Sequence, residues 1–176
     1  NLVYASAYND YANWDLDTAD NTSSAHAWAS MSQSNVKADG EFTGIYTYDN
    51  HVVLFKKDFM QLVYNNKNPF RIVDVGAYGA DNPYAIAEAN GVLYFASSDG
   101  VYAFGGGTPK LVSTPLGLQN FTGAVLGGYK DTLYAQIGNT LYRLRNGPWS
   151  GSTPAHNVKQ FAANDNGLYG LLDNGD

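Results

Sequence analysis

Apolar residues fall in short runs of four to six along the chain, each bounded by Gly, Asn, Asp or Ser. Tyr, Val, Leu and Phe dominate the runs, which marks them as β-strands between tight turns. Three stretches read alike: HVVLFKKDFMQLVY, GVLYFASSDGVYAF and DTLYAQIGNTLYRL. Their centres, Val53-Leu54-Phe55, Leu93-Tyr94-Phe95 and Leu133-Tyr134-Ala135, repeat at a period of 40. Pro69, Pro109 and Pro148 keep nearly the same beat, at spacings of 40 and 39. Ile45, Ala85 and Val125 open a further set of apolar runs at that period. Fainter copies stand at NLVYAS and at NGLYGLLDNGD, the latter 35 residues after its predecessor.

Within a unit the turn residues divide the runs. Asp99-Gly100 and Gly138-Asn139 separate two strands, and Asn90-Gly91 and Asn166-Gly167 precede each Leu-Tyr strand. All four pairs accept the positive φ of a two-residue hairpin turn. Each Pro opens an outer strand, where a missing N–H does least harm. The pattern predicts an all-β chain of four-stranded antiparallel blades, period about 40, arranged as a β-propeller of roughly four blades or a partial ring. A solenoid or an irregular sandwich would share the same Tyr-rich strands. Blade-like units are expected at 1–36, 37–76, 77–116, 117–155 and, in part, 156–176, all in one domain. The first unit departs from the repeat: NDYANWDLDTADNTSSAHAWASMSQS reads as a strand followed by a long decorated loop, where function on such a scaffold tends to sit.

Composition narrows the function classes. The 176 residues are 44% hydrophobic and 14% aromatic, with 14 Tyr and 19 Gly, and only 15% charged. That is too apolar for disorder, and the apolar runs are too short for a membrane-spanning helix. A net charge of −6 and the lack of a Lys/Arg cluster argue against gripping a nucleic-acid backbone. Without Cys there is no disulfide framework and no thiolate site. No basic-then-apolar signal segment is visible in this chain.

Candidate chemistry is sparse. Asp15, Asp17 and Asp20 alternate as in a calcium loop, yet the sixth position is Asp20 rather than Gly and the twelfth is His26 rather than Glu. His26, His51 and His156 lie far apart without partners at ligand spacing. Ser24 and His26 lack a nucleophile-elbow pattern. Gly105-Gly106-Gly107 lacks the Lys-Ser/Thr ending of a phosphate loop. Trp14, Trp28 and Trp149 fall outside the Leu-Tyr strands and are the candidate ligand-binding residues, able to stack on sugar rings or anchor a partner, or else to pin loops to the body. No catalytic set and no cofactor is implied.

Residues 37–116 carry a resemblance. Val53 to Lys56, Asn68-Pro69-Phe70, Gly76 with Gly79, Asn90 to Phe95, Asp99 to Tyr102 and Gly106 to Ser113 fill a recurring pattern, and Tyr4, Ser6 and Trp14 match its opening segment. This pattern resembles the repeat of bacteriophage virion β-propeller proteins at the head–tail junction or tail, including the packaged-DNA-stabilisation class. The Cys often found in that family's inter-strand link is missing here. The resemblance implies a non-enzymatic structural module of a phage or prophage particle, located in the virion or in the bacterial cytoplasm during assembly. Its partners would be other virion or tail proteins, or further copies of itself. Two alternatives stand beside it: a lectin-like propeller binding host-surface glycan, and a propeller glycosidase or lyase.

Overall fold

The computed structural model describes residues 3–16, 25–29, 40–64 and 70–175. Among these the regular structure is β, broken only by single 3-10 turns at Pro83–Ala85 and Thr114–Leu116. No helix among the described residues is long and apolar enough to cross a membrane. Strands β1 (Tyr4–Ala5) and β2 (Trp28–Ala29) form a small antiparallel pair. Three four-stranded sheets follow. The first holds β3 (Phe42–Tyr48), β4 (His51–Lys56), β5 (Met60–Tyr64) and β6 (Arg71–Gly76). The second holds β7 (Ile86–Ala89), β8 (Val92–Ser97), β9 (Gly100–Phe104) and β10 (Lys110–Leu111). The third holds β11 (Val125–Tyr129), β12 (Thr132–Ile137), β13 (Thr140–Arg145) and β14 (Trp149–Ser152). A final pair is β15 (Val158–Asn164) with β16 (Gly167–Leu172). Every four-stranded sheet is an antiparallel meander in chain order, as the sequence predicts. Pro109 and Pro148 stand directly before the outer strands β10 and β14, while Pro69 lies outside the described residues.

The first hairpin of each unit turns at Asp49-Asn50, Asn90-Gly91, Lys130-Asp131 and Asp165-Asn166. Asp49, Asn50, Asn90, Gly91 and Lys130 all have positive φ, which Asn, Asp and Gly accept most readily. Two turns sit one residue earlier than expected, because Ser97 pairs with Gly100 and Asn164 with Gly167. A larger correction concerns register. The first-hairpin turns are 41, 40 and 35 residues apart, so the first unit is one residue out of step with its own lettering. Val53, not Leu54, stands in the place of Tyr94 and Tyr134, and Leu54 lies on the opposite face. In a strand a one-residue slip exchanges faces. Likewise Ala85 falls in a 3-10 turn, and the paired equivalents of Ile45 are Ile86 and Leu126.

Alternation on the strands gives two cores, one between each pair of successive four-stranded sheets. Val53, Phe55, Met60 and Leu62 meet Ile86, Leu93, Phe95 and Phe104, with Phe55 and Phe95 rings 5.2 Å apart. On the other face of the second sheet, Ala87, Ala96 and Val101 meet Leu126, Leu133, Ala135 and Ile137. Face-to-face packing of this kind buries what a lone meander would expose.

The first strands of successive sheets are the closest neighbours, and glycine makes the approach feasible. A Cβ on Gly44 would lie 2.4 Å from the Ile86 Cδ1, and one on Gly127 would lie 2.5 Å from Phe161 Cγ. One on Gly128 would lie 1.7 Å from the Glu88 carbonyl oxygen. The first-hairpin turns are also tied in series. The Tyr48 hydroxyl donates to the Gly91 carbonyl at 2.7 Å, the Asn90 N–H to the Lys130 carbonyl at 2.8 Å, and the Tyr129 hydroxyl to the Asp165 carbonyl at 3.4 Å. Among the described residues the sheets form no closed ring.

Candidate functional site

Residues 3–16 form a short loop system laid against the first four-stranded sheet. Small side chains permit the close fit: Ala7, Ala27 and Ala29 are buried. Pairing of β1 with β2 and a parallel bridge from Leu16 to Ala27 fix the two ends. Between them the backbone is bonded to itself. The Ala7 N–H donates to the Asn13 carbonyl at 2.9 Å, Asp10 to Ala7 at 3.2 Å, and Asn13 to Asp10 at 3.2 Å. The Asp10 carboxylate accepts from the Ala12 N–H and the Asn13 side-chain carbonyl from the Asp15 N–H, both local turns that Asp and Asn favour. The Asn13 amide then reaches the Ala25 carbonyl at 3.4 Å.

This bonded frame turns its aromatics outward. Tyr11 is 88% exposed and Trp14 57%, with Tyr8 and Tyr4 also exposed. The Trp14 indole N–H donates to the Tyr11 carbonyl at 2.9 Å, which holds the ring in one orientation. Beside the loop lies a cleft of ≈ 450 Å³ lined by Ser6, Tyr8, His26, Asn50, Val52 and Phe70 among others. Large rigid rings on an ordered loop are a contact surface that loses little conformational freedom on docking.

The three tryptophans separate by environment. Trp28 is buried, edge-on to Phe70 at 5.2 Å, and secures the loop to the sheet. Trp149 packs edge-on to Tyr142 and donates to the Val112 carbonyl at 2.8 Å, joining the outer edges of the second and third sheets. Both are engaged in packing, Trp28 buried and Trp149 half-buried. Trp14 is the most exposed of the three. Asp15 is exposed, while Asp17 and Asp20 lie outside the described residues, as does Ser24. Among the described residues no three His, Asp or Glu side chains converge on a common point. His51 is packed against Tyr64 with ring centres 4.4 Å apart, and His156 lies 3.3 Å from Asp173.

A second polar cluster escaped the sequence reading. Asp99 was visible there only as a turn former, yet its carboxylate accepts hydrogen bonds from the Ser97 hydroxyl and, at 2.6 Å, from the Tyr102 hydroxyl. Burial works against the charged form, but these bonds outweigh it and hold the Asp99 carboxyl below its ordinary range. Tyr102 responds oppositely: burial, then the bond to Asp99, push its phenol up to about 12. Tyr102 also stacks on Phe95 and meets Tyr78 edge-on, so the carboxylate is anchored to the first core. The corresponding turn of the third sheet uses amides instead. Buried Gln136 donates to the Gly138 carbonyl and to Asn157 Oδ1, and accepts from the Val158 N–H, tying β12 to β15. Both clusters brace the ends of hairpins against a neighbouring element.

No protein-family model matches the chain, and no curated protein matches it significantly.

Proposed function

We propose that the chain is an arc of a β-propeller serving as a non-enzymatic interaction module of a phage or prophage particle. Its work is to hold loops in fixed relation for contact with other virion or tail proteins. The observation that carries this reading is the hydrogen-bonded loop 7–15, which presents Tyr8, Tyr11 and Trp14 on a body of interlocked sheets. The propeller assignment draws on the order of the meanders and on first strands lying side by side, with their turns tied in series. The virion assignment draws on the resemblance of the repeat at residues 37–116.

A glycan ligand is the second reading, favoured by the exposed Tyr11 and Trp14 alone, since Trp28 and Trp149 are committed to packing. The decisive experiment is mass spectrometry and antibody-labelled electron microscopy of particles purified from cells carrying the reading frame. The chain should be found in intact particles at the head–tail junction or tail. The Tyr11→Ala/Trp14→Ala variant should keep its strand circular dichroism and lose incorporation. Absence from particles overturns the virion reading, and Trp14-dependent capture on a glycan array replaces it with the lectin reading.

A further inference from the structure

Each four-stranded sheet pairs its second strand on both edges, with the first strand on one side and a third on the other. The last pair differs: among the described residues β16 pairs with β15 alone. Its outer edge can be located. The Gly175 N–H donates to the Leu172 carbonyl at 3.2 Å, so that carbonyl points away from β15. The same places are held by Ser97 with Gly100 and by Ile137 with Thr140, where third strands begin. Residues of an antiparallel strand bond to opposite sides in alternation. The N–H and C=O of Gly170 and Leu168 therefore point outward as well, and those of Tyr169 point toward β15.

The outer strands elsewhere are guarded against further pairing. β6 carries Arg71 and Asp74, β10 is two residues long behind Pro109, and β14 is four residues long behind Pro148. The six residues of β16 hold no charge and no Pro, and Tyr169 and Leu171 are 55% and 50% exposed. An apolar, unguarded edge is a template for another strand. The complete sheets show what fits there. Counted from the first-hairpin turns, Val52, Leu93 and Leu133 hold the place of Leu168. Opposite them on the third strands stand Val63, Phe104 and Leu144, all buried. Leu54, Phe95 and Ala135 hold the place of Gly170 and face Gln61, Tyr102 and Tyr142. We propose that the outer edge of β16 binds an extended, antiparallel segment of a partner protein that carries Tyr or Gln two residues before Val, Leu or Phe. Main-chain bonds to Leu168 and Gly170 supply the affinity, and the two side chains the specificity. A second copy fits less well, because its β16 edge presents only Leu168, Gly170 and Leu172, with neither ring nor amide to set opposite Gly170. The free edge stands whether or not the chain belongs to a virion, so either reading can fail alone.

The probe is a synthetic peptide of residues 139–146, which carries Tyr142 and Leu144 in their third-strand places. Titrated into the isotopically labelled full chain, it should bind saturably and slow hydrogen exchange at the Leu168 and Gly170 amides. N-methylation of the peptide at Tyr142 and Leu144 removes the main-chain donors and should weaken binding about tenfold or more. A scrambled peptide of the same composition should bind no better than the methylated one, which separates strand pairing from attraction between its Arg residues and the acidic chain. Leu168→Pro removes one outward N–H and should weaken binding likewise, with circular dichroism unchanged. Absence of binding at a peptide concentration on the order of 1 mM overturns the proposal. So does equal binding of the methylated or scrambled peptide, or protection confined to residues outside β16. Slow exchange at Leu168 and Gly170 in the free chain that fades on dilution overturns it in favour of a second copy.

Discussion

A methyl group at Gly128 would sit 1.7 Å from the Glu88 carbonyl oxygen, a backbone atom that cannot move aside as a side chain would. Gly128→Ala should therefore cost about 1–3 kcal/mol or more, read as a lower urea midpoint at unchanged slope. Gly127 and Gly44 face side chains that can shift in part, and alanine there should cost less. Nothing in the sequence distinguishes these glycines from turn formers, because the need for them arises only when two strands from different sheets meet. Tyr48→Phe removes the hydroxyl bound to the Gly91 carbonyl and should cost about 1 kcal/mol, measurable by the same titration. The Asp99–Tyr102 pair fixes the sign of two pH effects. The Asp99 carboxyl lies below its ordinary 3.8, so its contribution is present above pH 3.8 and is lost as pH falls through the lower folded value. The Tyr102 phenol lies at about 12 rather than 10.0, so its contribution is whole below pH 10.0 and is lost as pH rises through about 12. In an ultraviolet titration, Tyr102→Phe should remove one late tyrosinate step. Asp99→Asn should lower that step yet leave it above 10.0, since burial, the larger cause, persists.

At the scale of strands and sheets, the repeat was legible wherever turn chemistry was explicit. Asn90-Gly91 and Gly138-Asn139 stand at the turns their letters indicate, and the Pro-led outer strands follow Pro109 and Pro148. The slip in the first unit was not legible, and the reason is physical. Residues 53–55 are apolar on both faces of β4 and all three are buried, so either register satisfies the hydrophobic pattern. Only the turn at Asp49-Asn50, one residue earlier than the lettering implies, reveals it. Because Phe95 is fully buried and joins Phe55 across the first core, Phe95→Ala should cost about 3–5 kcal/mol in the urea titration. Trp28 and Trp149 were ambiguous for a related reason: an indole outside the Leu-Tyr strands reads the same whether it faces a ligand or, as here, a ring or a carbonyl.

Over the whole molecule, sheets of like construction are joined through their first strands, and the loop system at 3–16 is fastened to the first of them. The exposed site was half visible in the sequence. Trp14 could be singled out because Trp is rare, whereas Tyr8 and Tyr11 were lost among residues that elsewhere mean strand. Their exposure follows from the backbone bonds between Ala7, Asp10 and Asn13, which no spacing rule announces. The central claim is that successive sheets pack through adjacent first strands. Nuclear Overhauser spectra of isotopically labelled protein test it most directly. The expected result is a set of cross-peaks from Gly44 Hα to the Ile86 δ1 methyl, from Gly127 Hα to the Phe161 ring, and between the Phe55 and Phe95 rings. Spectra that keep the strand-pair peaks within each sheet but lack these three would contradict it.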